Sequence, residues 1–503
     1  MRRALIAVAA APFALAALDA RAGDPPPAAA VASASTSASP SSSSAPPVPP
    51  ALSASAPALD FRSHPPPFHS DSKFAFPRIR EAKLANGVRI FVVERHELPL
   101  VAIDIASDVG TEVAPDSVAM LAADNAKEAT HGHFSWELDH DFMAIGAWRD
   151  AWANLEGTEV YVRFLAPQLA KGIALAAEVA TDANFDTDIL DKVRVIRKDM
   201  RHEMKKWPFI EIANELYPSS HPFHNLAWGS EESIASVSPH DLDTFWKRAY
   251  SANHTAVFVS GDVSFDEVVA DVQSSFGSMR ASPETTLAVP PAVEAPPRTE
   301  VTIVDHPNVG QTHVAMGTIA VDHASPDYLP LLVASNILGT RAFHATRQEH
   351  GYTYGMGTQF EAHKGSGFVV VEGGIEIGSA ERSIRDVFGS IDSFASRPPP
   401  DDEIARAKSR IVAAWESAFE TNAGTVSHLA AIFQLSLPMT EIVDRNKRLE
   451  AVSRDAVLAA AAKYLDPKKM HVVVIGDAQQ LKIELASLGL GPLVVKSAHS
   501  SPK

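Results

Sequence analysis

The sequence predicts a mixed α/β (α+β) protein built from two homologous domains, each a mixed β-sheet flanked by helices. Three observations carry this prediction. A Pro-rich stretch, PETTLAVPPAVEAPPR (283–298), divides the chain beyond residue 75 into two parts of similar length. Each part opens on a β-rich run, KLANGVRIFVVE (83–94) and TEVTIVDHP (299–307), with Asn86-Gly87 marking a turn in the first. The parts also end alike, in KRAYSANHTAVFVSGD (247–262) and AAKYLDPKKMHVVVIGD (461–477). Both endings run from a helix-terminal Tyr through a polar turn and an apolar strand to Gly-Asp. Tyr250 and Tyr464, like Gly261 and Gly476, keep a nearly constant offset, as an internal duplication would.

Between these landmarks, LAPQLAKGIALAAEVATDA (165–183) and PDYLPLLVASNIL (326–338) place apolar residues at helical period. Helices of this kind cover a sheet that cannot bury its own apolar face. The 503 residues divide on this reading into a signal peptide (1–22), a Pro/Ser/Ala tether (23–75), a first domain (76–282), the linker (283–298), a second domain (299–490) and a tail (491–503). The opening MRRALIAVAAAPFALAALDARA has two arginines, an apolar run and small residues at Ala20 and Ala22, which predicts secretory cleavage before Gly23. The tether has too few large apolar side chains to offset chain entropy, and disorder is expected there.

Composition narrows the function. A net charge of -17 argues against nucleic-acid or anionic-membrane binding and suits an ordinary soluble surface. No stretch after the leader reaches the ~18 apolar residues of a membrane span. The chain has no cysteine, so a thiol-linked lipid anchor, a thiol nucleophile and thiolate metal sites are all excluded. These features predict a periplasmic or secreted protein.

Longer segments carry a resemblance. LANGVRIFVVERHELPLV (84–101) and HPFHNLAWGSEESIASVSPHDLDTFWKRAYSANHTAVFVSGD (221–262) lie in the first half; RQEHGYTYG (347–355), FETNAG (419–424) and KYLDPKKMHVVVIGD (463–477) lie in the second. In these the chain resembles the insulinase/pitrilysin-like zinc peptidases, and most closely the bacterial relatives of mitochondrial processing peptidase. The resemblance runs from about Phe76 to Gly489. It implies a catalytic H-x-x-E-H helix, in which two histidines on one helix face bind zinc and the glutamate acts as general base. A second glutamate downstream completes such a site.

Register from IDIASDVGT (103–111) and from Ala129-Thr130 places that signature on MLAAD (120–124). Met120 and Asp124 stand at the histidine positions and Ala123 at the base position. The downstream ligand falls within VRVIRKDMRHEM (193–204), at Asp199. A thioether is a poor zinc ligand beside carboxylates, and alanine accepts no proton. No metal or other cofactor is expected on this chain. Asp124 and Asp199 would attract a hard cation only weakly, and only if they converge.

Other histidines offer weaker alternatives. His131, His133 and His140 cluster in THGHFSWELDHDF (130–142) but match no family site, and a solvated or structural role is expected. His202-Glu203 begins an H-E-x-x-H motif that fails at Lys206. His221-Pro222 reads as a structural turn. The family's Gly-Gly-x-x-Asn-Ala strand, which receives peptide by strand addition, corresponds to GAWRDA (146–151), where Ala147 and Asp150 depart from the pattern and Trp148 and Trp152 add bulk.

The second half keeps what the first has lost. RQEHGYTY places Arg347 and Tyr354 seven residues apart, at the spacing of the family's R-E-K-x-G-x-x-Y motif. By resemblance, this pair holds the substrate backbone and assists the oxyanion at a zinc site carried by a facing subunit. The resemblance thus implies a non-catalytic, zinc-less subunit of a heterodimeric metallopeptidase, inactive alone. Its partner would be an H-x-x-E-H-bearing chain holding the zinc, and its substrates peptides. The alternatives are a stand-alone peptide-binding pseudoenzyme or scaffold, and a metallopeptidase with an atypical site built from Asp124, Asp199 and nearby His.

Overall fold

A computed structural model of the chain describes residues 74–204, 207–491 and 493–497. The expected signal peptide and nearly all of the tether lie outside the described residues, as does the end of the tail. The first half contains β1 (Arg80–Lys83), β2 (Arg89–Glu94), β3 (Leu100–Ser107), α1 (Val118–Ala126), α2 (Ser135–Ala144), β4 (Trp148–Ala153), β5 (Thr158–Leu165), α3 (Leu169–Thr181), α4 (Thr187–Met204), α5 (Pro208–Leu216), α6 (Glu231–Ser236), α7 (Pro239–Ala249), β6 (Thr255–Gly261) and α8 (Phe265–Phe276). The second half contains β7 (Glu300–Asp305), β8 (Thr312–Ala320), α9 (Tyr328–Phe343), β9 (Gly357–Ala362), β10 (Gly367–Ile375), α10 (Ala380–Ser396), α11 (Asp401–Ser417), α12 (Asn422–Gln434), α13 (Glu441–Ala451), α14 (Arg454–Tyr464), β11 (His471–Gly476), α15 (Ala478–Leu485) and β12 (Leu493–Ser497). Residues 283–298 form neither helix nor strand.

Two six-stranded mixed sheets result, ordered β1-β2-β6-β3-β5-β4 and β12-β7-β11-β8-β10-β9. From the second position onward the two orders correspond strand for strand, and so do the strand directions. β2 runs parallel to β6 as β7 does to β11, and each later neighbour is antiparallel. The matched sequence endings are therefore the same element twice: β6 and β11 are inner strands, buried along their whole length. Only the outermost partner differs, with β1 antiparallel to β2 and β12 parallel to β7.

Local chemistry explains the elements around these strands. In α7, Ser238 caps the first turn by accepting from the Asp241 amide, and Pro239 presets the first helical residue. Leu242, Phe245, Trp246 and Ala249 then fall on one buried face, at the spacing of an amphipathic helix. The FETNAG segment is a cap as well: Thr421 accepts from the Gly424 amide at 2.9 Å and starts α12.

Each half also lends a helix to the other. α12 lies on the first sheet, its Val426, Leu429 and Ala430 packed with Ala102, Ala106 and Phe258. At its start, Asn422 donates to the Leu100 carbonyl at 3.1 Å and accepts from Ser260 Oγ at 3.0 Å. Reciprocally, Ile212, Ala213 and Leu216 of α5 pack on the second sheet with Ala315, Val370 and Val473. Small residues on β3 and β8 let these helices approach closely. A Cβ on Gly317 would come within 2.8 Å of Ile212 Cγ1 and 3.1 Å of Val370 Cγ2. Gly317→Val is therefore expected to destabilise the protein by roughly 1–3 kcal/mol, as overpacking of a filled core does. Denaturant unfolding measures this; an unchanged midpoint would show that α5 does not sit on β8.

Buried charge joins the halves where the β4–β5 hairpin meets the β9–β10 hairpin. His363 Nδ1 lies 2.7 Å from Glu156 Oε1, both side chains buried, and Lys364 Nζ lies 3.2 Å from Glu112 Oε1. Glu361 is buried beside them, and its Oε1 has no hydrogen-bond partner among the described residues. Burial raises Glu112 to about 7 against the opposing pull of Lys364, and burial likewise raises Glu361 to about 7. Beneath α12, Asp104 and Glu159 are both buried. Burial and the repulsion of its neighbour hold Asp104 well above the carboxylate range, and burial lifts Glu159 to about 6.

Candidate functional site

The residues at the signature positions lie on α1, whose Leu121, Ala122 and Ala123 are fully buried against the first sheet. Met120 is half-buried and packs into apolar surroundings contributed by both halves. Asp124 reaches away from this core. Its Oδ2 accepts from Arg197 Nε at 2.9 Å and also from Arg197 Nη2, while its Oδ1 lies 3.5 Å from Lys127 Nζ. Lys127 in turn donates to Asp150 Oδ1 on β4 at 2.8 Å. Burial opposes the Lys127 charge, but Asp124 and Asp150 outweigh it and raise the pKa of the ammonium. Arg197 itself is buried, and its guanidinium lies 5.4 Å from the Trp228 ring centre.

Two cations and two carboxylates thus neutralise one another between α1, α4 and β4. Asp199 takes no part in that network and is exposed on α4. Residues two apart on a helix point about 200° apart, so the turn that brings Arg197 to Asp124 carries Asp199 away from it. The side chains at this place do not fit a zinc ion: a thioether, an alanine, and a carboxylate already held by two fixed cations. Among the described residues, no three His, Asp or Glu side chains are grouped to hold a metal ion.

The remaining sequence candidates separate in space. His133 is held by Glu178, Nδ1 to Oε1 at 2.7 Å, and this hydrogen bond raises its pKa. His131 and His140 are exposed. His221 uses both ring nitrogens on backbone, facing the Pro291 carbonyl at 2.9 Å and accepting from the Phe223 amide at 3.1 Å. β4 is one of the two edge strands of its sheet. Its Trp148 is partly exposed, edge-on to Tyr161 at 5.7 Å, with the Arg163 guanidinium 5.2 Å from its ring centre.

In the second half the structure brings Arg347 and Tyr354 together. α9 passes into a π-helical turn (His344–Glu349), where the widened turn sets Arg347 outward. The chain then reverses through Gly351, at φ +73° in the left-handed region, and returns as β9. Arg347 Nη1 donates to the Thr353 carbonyl at 3.2 Å, and its guanidinium stacks 5.3 Å from the Tyr354 ring centre. The Tyr354 side chain is 88% exposed, an unusual position for a large aromatic group. Guanidinium and phenol together offer adjacent donors on the surface, suited to a peptide carbonyl or its developing oxyanion.

Sequence reading did not find the cations of the first site. The signal was available, since Leu190, Val193 and Arg197 fall at i, i+3 and i+7 and form the buried stripe of α4. Lys127 carried no comparable signal, because a lysine one turn from an aspartate is common on solvated helices.

Comparison with known proteins agrees with this fold. Residues 236–411 match the family described as Peptidase M16 inactive domain. The chain is 22% identical over 270 residues to the mitochondrial-processing peptidase subunit beta of Blastocladiella emersonii, spanning 52% of this chain and 57% of that one. It is 22% identical over 306 residues to the uncharacterized zinc protease YmxG of Bacillus subtilis, spanning 59% and 73% respectively. The first of these alignments covers little more than half of the relative's length. A crystal structure of a peptidase M16 inactive domain from Pseudomonas fluorescens matches with TM-score 0.72 at 22% identity, over 80% of this chain and 98% of that one. The periplasmic protease PqqL of Escherichia coli matches with TM-score 0.67 at 13% identity, over 82% of this chain but 49% of that one. In fold the chain is similar to solved insulinase-like M16 peptidase structures, and within it residues 236–411 match the family described as Peptidase M16 inactive domain.

Proposed function

We propose that this chain is the zinc-less subunit of a periplasmic, heterodimeric insulinase-like metallopeptidase. It forms half of a peptide chamber and supplies Arg347 and Tyr354 in trans. The observation that carries the reading is the closure of Asp124 by Arg197 and Lys127, which puts internal cations where a peptidase would need an open metal position. A partner with an intact H-x-x-E-H helix supplies the zinc chemistry. This chain's residues bind and orient: Arg347 and Tyr354 donate hydrogen bonds to the peptide carbonyl, strengthening as negative charge develops on its oxygen. That this chain matches about half of PqqL supports pairing with a second unit of the same kind. No helix among the described residues is long and apolar enough to cross a membrane, as a chamber-forming soluble subunit requires.

Purification of the tagged full chain from its host, followed by mass spectrometry and zinc analysis, tests the proposal. The expected result is an equimolar complex with a chain of similar length carrying H-x-x-E-H, with zinc in proportion to that partner. The isolated chain is expected to hydrolyse no peptide. Stoichiometric zinc on the isolated chain, with chelator-sensitive hydrolysis, would overturn it.

A further inference from the structure

Between Arg347 and Tyr354 the chain is pinned at its midpoint by a single carboxylate. Asp386, on α10, accepts at one oxygen, Oδ2, from two donors. His350 Nδ1 lies 2.7 Å away and the Tyr352 hydroxyl 2.5 Å away. These donors flank Gly351, whose left-handed backbone makes the reversal. The His350 and Tyr352 rings stack nearly parallel, with centres 6.0 Å apart. Burial and the Asp386 charge both raise the Tyr352 pKa, so the phenol stays a donor at any ordinary pH.

Beyond Gly351 the segment is held again. The Glu376 amide donates to the Tyr352 carbonyl at 2.8 Å, and Thr353 Oγ1 donates to the Gly374 carbonyl at 2.6 Å. The Gly355 amide donates back to Thr353 Oγ1 at 3.0 Å. Thr353 also bridges to Ile375 as in a strand. A loop fixed at this many points has no packing reason to hold out a tyrosine that is 88% exposed. What the fixation accomplishes is to set Tyr354 beneath the Arg347 guanidinium.

We propose that Asp386 is the positioning residue for the Arg347–Tyr354 pair, holding the 350–354 turn so that both donors face a peptide together. The inference rests on the substrate-binding reading of that pair. Asp386 touches neither Arg347 nor Tyr354 and acts through His350 and Tyr352. The α10 helix that carries it packs in the second core through Ile384, Val387 and Ile391, so the clamp is anchored to rigid structure.

The test uses Asp386→Ala and Asp386→Asn in the full chain, with two readouts. Amide hydrogen exchange over residues 350–356 is expected to speed up at least tenfold in the Ala variant, which loses two hydrogen bonds to a charged carboxylate, each carrying about that factor. Asn keeps a carbonyl oxygen toward both donors, and its exchange is expected to stay near that of the parent. In the complex purified from the host, with fluorescein-labelled casein peptides as probe, Ala is expected to lower kcat about tenfold through misplaced donors, with Asn restoring most of it. Unchanged exchange in the Ala variant overturns the positioning role by itself. Faster exchange with unchanged hydrolysis overturns instead the reading of Arg347 and Tyr354 as substrate contacts, and the positioning role with it.

Discussion

Arg347→Ala is expected to lower peptide hydrolysis by the assembled complex by about 10²–10³-fold, the usual consequence of removing one oxyanion donor. The same variant should leave folding and association nearly untouched. Arg347 is exposed, and its described contacts are one carbonyl and the face of Tyr354, itself exposed. Surface groups of this kind contribute within about 0.5 kcal/mol to stability. Arg347→Lys separates charge from geometry: an ammonium keeps the charge but loses the planar fork, and most of the defect should remain. Tyr354→Phe removes the phenol donor while keeping the ring, and a smaller loss is expected. Size-exclusion chromatography checks assembly, and initial rates check activity. Full activity with alanine at position 347 would falsify the proposed division of labour.

Acidification is expected to strengthen the joint between the halves. The unfolded-state carboxyl releases its proton near 4.5, while the folded Glu112 and Glu361 hold theirs to about 7. Between those values the folded chain binds more protons than the unfolded one, so stability falls as pH rises through that window. Asp104 and Glu159, also raised, act in the same direction. So does His363: burial opposes its charge, but Glu156 outweighs burial and raises its pKa, and that contribution is lost as pH rises through the folded value. Glu156 runs the other way. Burial would raise it, His363 nonetheless lowers it, and its contribution is lost as pH falls below about 4.5. Burial lowers His323 and His428 to about 4, and these act the opposite way up to about 6.5. The joint is therefore read above that value, where stability against thermal unfolding should fall by on the order of 1–2 kcal/mol, or a few degrees of Tm, between pH 6.5 and pH 8. Glu361→Gln fixes the neutral form, and should raise Tm at pH 8 and flatten the profile. A Tm that climbed from pH 6.5 to pH 8 would contradict this account of the joint.

Much of the fold was legible because the inner strands are unbroken apolar runs. TAVFVSG and HVVVIG could only be deeply buried strands, and their shared flanks exposed the duplication now seen in the two sheet orders. Asn86-Gly87 marked its turn, with Gly87 at φ +112°. Harder to read was which sheet each helix covers. Nothing in FIEIANEL or in AGTVSHLAAIFQ states that its apolar face belongs to the other half, since periodicity reports a buried face and not its partner. The same limit applies at the candidate sites. Arg347 and Tyr354 could be paired through the resemblance, whose motif sets them seven residues apart in one short segment. Asp124 and Asp199 could not, because 75 residues and an unknown helix phase lie between them. The stripe Leu190, Val193, Arg197 settles that phase and turns a cation inward.

The exchange of α5 and α12 has a consequence for what counts as a unit of this protein. Although each half has its own sheet, neither has a complete interior, because the outer face of each sheet is roofed by a helix encoded in the other half. The covalent link through residues 283–298 is then a tether between parts that already interlock. Severed there, the polypeptide would be an obligate pair of fragments holding the same contacts.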